Sequence, residues 1–236
     1  MMNLPSLEPR WLAILAATAL AASPAAAHIA VSSGPAPANA TSKIVFGVGH
    51  GCAGADTLSV TIEIPAGVTS VRAVRSDFGK PALQKNGAGA VTSVTWQKVD
   101  AEVLDADDGY YELTLRVRTP DAPFTRLFWR IHQTCRAMDG TETTVPWVAL
   151  PGESGEPAAP LVLLPARRNG WNAWTLPTGA SVAPVDMARF FGDAQIVWRG
   201  LAAYSASPTI AALVAATPGV TALTELAAGD EIWVKY

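Results

Sequence analysis

The sequence predicts an all-β protein, a β-sandwich followed by a small C-terminal module that is β-rich with some helix (α+β). Three observations carry this reading. Several short segments alternate apolar and polar side chains, as strands with one buried face do. Proline- and glycine-rich turns separate them at intervals of about 10 to 15 residues, the spacing of a sandwich. No segment before residue 185 places apolar residues at helical spacing.

The chain opens on Arg10 and the apolar run Trp11 to Ala22, followed by Ser23, Pro24 and Ala25-Ala26-Ala27. The run is too short to cross a bilayer and ends at a small-residue cleavage pattern, so residues 1–27 are expected to be a signal peptide. Cleavage before His28 would place the protein in the periplasm or outside the cell. The sandwich is then expected over residues 28–165 and the small module over 166–236.

Within the sandwich, His28 to Val31 reads as a short strand ended by Ser32 to Pro37, where two prolines and a glycine forbid regular pairing. Ile44 to Val48 runs into the glycine-rich loop Gly47 to Gly54. Thr57 to Ile64 is the clearest strand, with Leu58, Val60, Ile62 and Ile64 on one face. Val68 to Val74 follows, then a polar loop from Asp77 to Gly89, then strands at Val91 to Val99 and Tyr110 to Val117. Leu127 to Cys135 reads as one strand with Trp129, Ile131, Gln133 and Cys135 inward and His132 outward. Pro151 to Pro160 has the composition of a linker, and Leu161 to Leu164 is a last strand. The module begins at Gly170-Trp171-Asn172, passes through Ile196-Val197-Trp198 and a short helix at Thr209 to Ala216, and ends at Ile232-Trp233-Val234.

Half of the 236 residues are apolar and the net charge is −3, so a packed core is expected and disorder is not. The even, slightly acidic balance argues against nucleic acid, which requires a clustered basic face. The two cysteines, Cys52 and Cys135, are most simply one disulfide in an exported chain. No nucleophile elbow or calcium loop is present, and the chain is read as a non-enzyme.

The chemistry concentrates at His28. Once cleavage frees its α-amine, that nitrogen and the imidazole Nδ1 can close a chelate ring on one metal ion, which an internal histidine cannot do. An α-amine titrates at about 7.7 to 8.0, so little proton competition opposes binding near neutrality. Nitrogen donors in a flattened arrangement favour Cu(II). His50, in the glycine loop, is either a further ligand or a residue that holds its own turn. His132 is read as solvent-facing, and Trp147 after Pro146 as a rim packing residue or the wall of a site.

Several motifs together resemble the YcnI family of copper-binding bacterial proteins. These are a signal peptide ending before His28, the H-I-x-V start, F-x-V-x-H-G-C-x-G-x-x-T at Phe46 to Thr57, V-x-I-x-I-P at Val60 to Pro65, and Q-T-C at Gln133 to Cys135 followed by Trp147. The resemblance spans His28 to about Pro165. It implies an immunoglobulin- or cupredoxin-like sandwich binding Cu(II) through a single N-terminal histidine brace, with a nearby tryptophan and glutamate. Carried onto this chain, the brace is His28 and the tryptophan Trp147. The glutamate has no counterpart, because its loop reads Ser76-Asp77-Phe78-Gly79. Asp77 or His50 replaces it, or water does. The implied function is copper handling or delivery, with other periplasmic or membrane copper-handling proteins as partners. The tail from Gly170 is similar to a G-W-N…W module of secreted bacterial proteins, which implies an envelope interaction. A copper monooxygenase and a metal-free adhesion protein are the rival readings.

Overall fold

The computed structural model describes residues 28–236, so the signal-peptide expectation for residues 1–27 lies outside the described residues. Among the described residues thirteen strands precede residue 165: β1 Ile29–Val31, β2 Ala36–Pro37, β3 Thr41–Val48, β4 Asp56–Glu63, β5 Thr69–Ala73, β6 Ala82–Lys85, β7 Val91–Gln97, β8 Tyr111–Arg118, β9 Arg126–Trp129, β10 Ile131–Arg136, β11 Glu142–Ala149, β12 Glu156–Pro157 and β13 Ala159–Leu164.

They form a β-sandwich. One sheet has the order β1-β3-β8-β5, the facing sheet β12-β11-β10-β4-β7-β6, and β2-β13-β9 makes a third, shorter sheet. Period 2 explains the core. Ile44, Phe46, Leu113, Leu115 and Val117 on the first sheet meet Val60, Ile62, Val94, Trp96 and Ile131 on the second, and all of these are buried. Trp129 joins them, packed edge-on against Phe46. The disulfide expected from composition is present: Cys52, midway along the β3–β4 loop, is bonded to Cys135 of β10. It ties the loop that joins the two sheets to the strand beside β4.

Three expectations need correction. Leu127 to Cys135 is two strands rather than one: the chain breaks at Arg130, β9 pairs with β13, and β10 pairs with β4 and β11. Alternation continues across the break, so parity alone could not reveal the change of partner. The loop from Asp77 to Gly89 contains β6, which pairs with β7 although every one of its residues is exposed. Pro151 to Pro160 is not a linker. It folds back within the sandwich, β12 pairs in parallel with β11, and β13 already starts at Ala159.

The C-terminal part adds β14 Trp171–Thr175, β15 Ser181–Val182, β16 Ile196–Arg199, β17 Ala202–Tyr204, β18 Thr221–Ala222, β19 Leu226–Ala227 and β20 Glu231–Lys235, with helices α1 Met187–Phe191 and α2 Pro208–Ala216. Its main sheet has the order β14-β20-β16-β17-β18. Its core is not self-contained. Phe124, Val162 and Leu164 of the sandwich are buried in the same cluster as Phe190, Phe191, Val197 and Ile232. The Arg126 guanidinium reaches across to Asp186, whose carboxylate is nearly buried.

Candidate functional site

Strand β1 delivers His28 to one end of the sandwich. Its antiparallel register with β3 sets Ile29 opposite Val48, so His28 falls opposite Gly49, one residue before His50. His28 is exposed, whereas Ile29 is buried and anchors the strand. The His28 ring lies edge-on to the indole of Trp147, with ring centroids 5.4 Å apart. Trp147 is buried on β11 and does not offer its nitrogen to a ligand: Nε1 donates to Gln133 Oε1 at 3.1 Å. Gln133 in turn donates from Nε2 to the His50 carbonyl and to Thr57 Oγ1, both at 2.9 Å. A buried relay therefore fixes the indole against the histidine and ties the β3–β4 loop to the same spot.

His50 sits in that loop with Nδ1 3.1 Å from the Gly51 carbonyl and 3.4 Å from Asp107 Oδ2. The Gly51 amide donates to the other oxygen of Asp107. Gly51 must be glycine, since a Cβ there would meet the Ala55 carbonyl oxygen at 1.8 Å. These contacts give His50 a loop-holding role at the least. His132 projects outward from β10 and its Nε2 lies 2.9 Å from Glu63 Oε1. Asp77 is exposed in the Ser76–Gly79 turn that follows β5. That turn shares the sandwich end with His28, but β5 and β1 are opposite edges of a four-stranded sheet, about 14 Å apart at ordinary strand spacing.

The structure brings one carboxylate to His28 that the sequence did not single out. Glu153 and His28 line a shared depression of about 330 Å³ with Arg126, Phe128, Pro157 and Pro160. Glu153 is placed by the turn after β11, where its Oε2 accepts from the Leu150 amide at 2.8 Å. The signal was present in Pro151-Gly152-Glu153, a turn-forming run two residues past a strand end. Reading the segment as a linker hid it. On the other side of His28, a second depression is lined by Ala30, Pro35, Val162 and, from helix α1, Arg189.

These residues are of the donor types that Cu(II) takes, nitrogen and carboxylate oxygen. His28 is exposed, the Glu153 carboxylate shares its depression, and the buried indole of Trp147 walls one side; a chain beginning at His28 would add its α-amine to the imidazole Nδ1. Among the described residues no group of three or more His, Cys, Asp or Glu side chains is clustered for a metal.

The other concentration of charge is buried between the sheets. Lys98 Nζ lies 2.5 Å from Asp56 Oδ2 and 2.7 Å from Tyr111 Oη, and Tyr111 donates to Asp56 Oδ1 at 2.8 Å. The Leu104 amide also donates to Asp56. Burial pushes the Asp56 pKa up, but the hydrogen bonds from Lys98, Leu104 and Tyr111 outweigh it and hold the carboxyl below its ordinary value. Burial, and then the bond to Asp56, raise the Tyr111 pKa. Every polar group here is satisfied internally, as a structural ion pair requires.

Residues 28–164 match a protein family described as "Domain of unknown function (DUF1775)". Among solved structures, an uncharacterized protein from Nocardia farcinica, described as having an immunoglobulin-like fold, is 22% identical, with 58% of this chain and 97% of that one covered and a TM-score of 0.47. The third cohesin ScaC of Acetivibrio cellulolyticus, solved in complex with the ScaB dockerin, is 14% identical, with 57% and 96% covered and a TM-score of 0.32. No curated protein matches the chain.

Proposed function

We propose that this chain, which belongs to the DUF1775 family, is an exported Cu(II)-binding protein that handles or delivers copper at its mature N-terminus. The observation that carries the reading is the contact between His28 and the buried Trp147 at one end of the sandwich. A histidine placed only by chance at a cleavage site has no reason to rest on an indole fixed by a buried hydrogen-bond relay. In the mature chain the His28 α-amine and imidazole hold the ion, Glu153 supplies an oxygen donor, and Trp147 excludes water from one side. The bound ion would be cargo, passed to another copper-handling protein.

A copper monooxygenase would add a second histidine to the metal. His132 is committed to Glu63 on the outer face of β10, and His50 Nδ1 faces Gly51 and Asp107. The arrangement supports binding more than turnover.

The test is a Cu(II) titration of protein beginning at His28, followed by tryptophan fluorescence. One-to-one binding with quenching is expected, and Glu153→Gln should weaken it at least about tenfold, since even an outer partner of a metal ligand is worth that much. Failure of the mature protein to bind would remove the proposal. Full affinity in Glu153→Gln would remove the carboxylate from it.

A further inference from the structure

The solvent face of the C-terminal sheet carries an arrangement that the copper reading does not use. Cross-strand pairing sets Ala173 opposite Trp233, Trp233 opposite Trp198, Trp198 opposite Ala203, and Ala203 opposite Ala222. Directly opposed residues share a face, so two indoles stand side by side in a row otherwise made of alanine. Trp171 lies in the next row, opposite Lys235 and diagonal to Trp233. The three indoles line one shallow, open depression of about 440 Å³ and no other residue does. Trp171 and Trp233 are 53% and 56% exposed, although tryptophan is the costliest side chain to leave in water. The opposite face of the same strands, with Asn172, Ile232, Val234 and Val197, is the one that packs into the core. Core packing therefore does not account for the indoles.

The chemistry of the face narrows the occupant. Its walls are the three indoles and almost wholly apolar, and its polar groups stand at the edges: Lys235 beside Trp171, and Glu231 with Thr175 on the other side of the Ala173–Trp233 pair. One cation and one anion leave the face without net charge. The Lys235 ammonium is 6.0 Å from the Trp171 ring, where it repels a quaternary ammonium ligand that three indoles would otherwise suit. A row of aromatic faces with polar groups confined to its margins matches a ligand that is apolar on its broad face and hydroxylated round its rim.

We propose that Trp171, Trp198 and Trp233 form a binding site for a neutral glycan chain, the C–H faces of its sugar rings stacking on the indoles and its hydroxyls meeting Lys235, Glu231 and Thr175. Exposed apolar patches of this kind mark interaction surfaces, and the small exposed Ala173 beside Trp233 leaves that side of the patch unobstructed. The site would hold the protein at a polysaccharide matrix while the sandwich end around His28 stays open.

The test is isothermal titration of the full mature chain with the neutral β-1,4-linked hexasaccharides of glucose and of N-acetylglucosamine, beside Trp233→Ala and Trp171→Ala. Saturable binding of either sugar is expected, weakened about tenfold or more in each variant. Both substitutions are at exposed positions, and an unchanged circular dichroism spectrum and Cu(II) titration will show that each variant is folded. No binding of either sugar at millimolar concentration would overturn the proposal. So would equal binding by the variants. Tryptophan-dependent binding to phosphatidylcholine vesicles, or tryptophan-dependent dimerisation in sedimentation, without sugar binding, would reassign the face to a lipid surface or to a second copy of the chain.

Discussion

Asp56 shows how a single residue sets a condition on the whole sandwich. Its carboxylate is fully buried and accepts hydrogen bonds from Lys98, Tyr111 and two backbone amides, so it is ionised in the folded protein and held below its ordinary pKa of 3.8. Asp56→Asn leaves the buried Lys98 ammonium without its counter-charge and is expected to cost about 3 to 5 kcal/mol. The sign of the pH dependence follows from the lowered pKa. The stabilisation is complete above 3.8, where the unfolded carboxyl is also ionised, and is lost as pH falls through the lower folded value. Thermal melts from about pH 6 to about pH 2 should show the wild type losing its advantage over Asp56→Asn only at the acid end. A constant gap would contradict the assignment. At the proposed copper site the residue that carries the reading is Trp147, whose indole is oriented by Gln133 and lies against His28. His28 stood out in the sequence through the cleavage pattern before it, and Trp147 only because a resemblance pointed to it. Glu153 was not, since a carboxylate in an exposed turn has no local mark that separates it from any other.

Strands with one buried face were the legible elements, and β3, β4, β7 and β8 run close to their expected bounds because alternation reports burial directly. The unread elements have physical reasons. β6 is exposed on both faces and has no alternation to show. β11 contains Pro146, which argues against a strand; it is tolerated because β12 covers β11 only from Trp147 onward, leaving Pro146 without a second neighbour. The break at Arg130 is a change of partner with no change of parity. The disulfide links the β3–β4 loop to β10 and closes a separation of 83 residues. In the chain-entropy model such a loop is worth about 4 to 5 kcal/mol. Reduction should therefore lower the melting temperature markedly while leaving Cu(II) stoichiometry unchanged, since neither sulfur is among the proposed ligands. A melt unaffected by reductant would show that the loop is held by the Gln133 and Asp107 contacts instead.

At the scale of the molecule, the composition change past Pro165 marks a real shift in architecture but not an independent core. Phe124 is the join: buried, with a φ of 63°, and packed within 6.0 Å ring-centroid distance of Trp174, Phe190 and Phe191. Phe124→Ala removes that packing and is expected to cost about 3 to 5 kcal/mol. Calorimetry should show the wild type melting in one transition, and the variant splitting into two as the C-terminal part loosens first. Two transitions in the wild type would mean that the shared cluster does not couple the parts. Arg189 of α1 lines a depression beside His28, so the C-terminal part also shapes the surroundings of the proposed copper site. The central claim is that this site is made by the chain's own mature end. The direct measurement is a Cu(II) titration with electron paramagnetic resonance on protein beginning at His28, beside the same protein carrying one extra glycine before it. Tight one-to-one binding and a nitrogen-rich Cu(II) spectrum only in the native-start protein is the predicted result, because the added residue turns the α-amine into an amide. Equal binding by both proteins, or by neither, would contradict it.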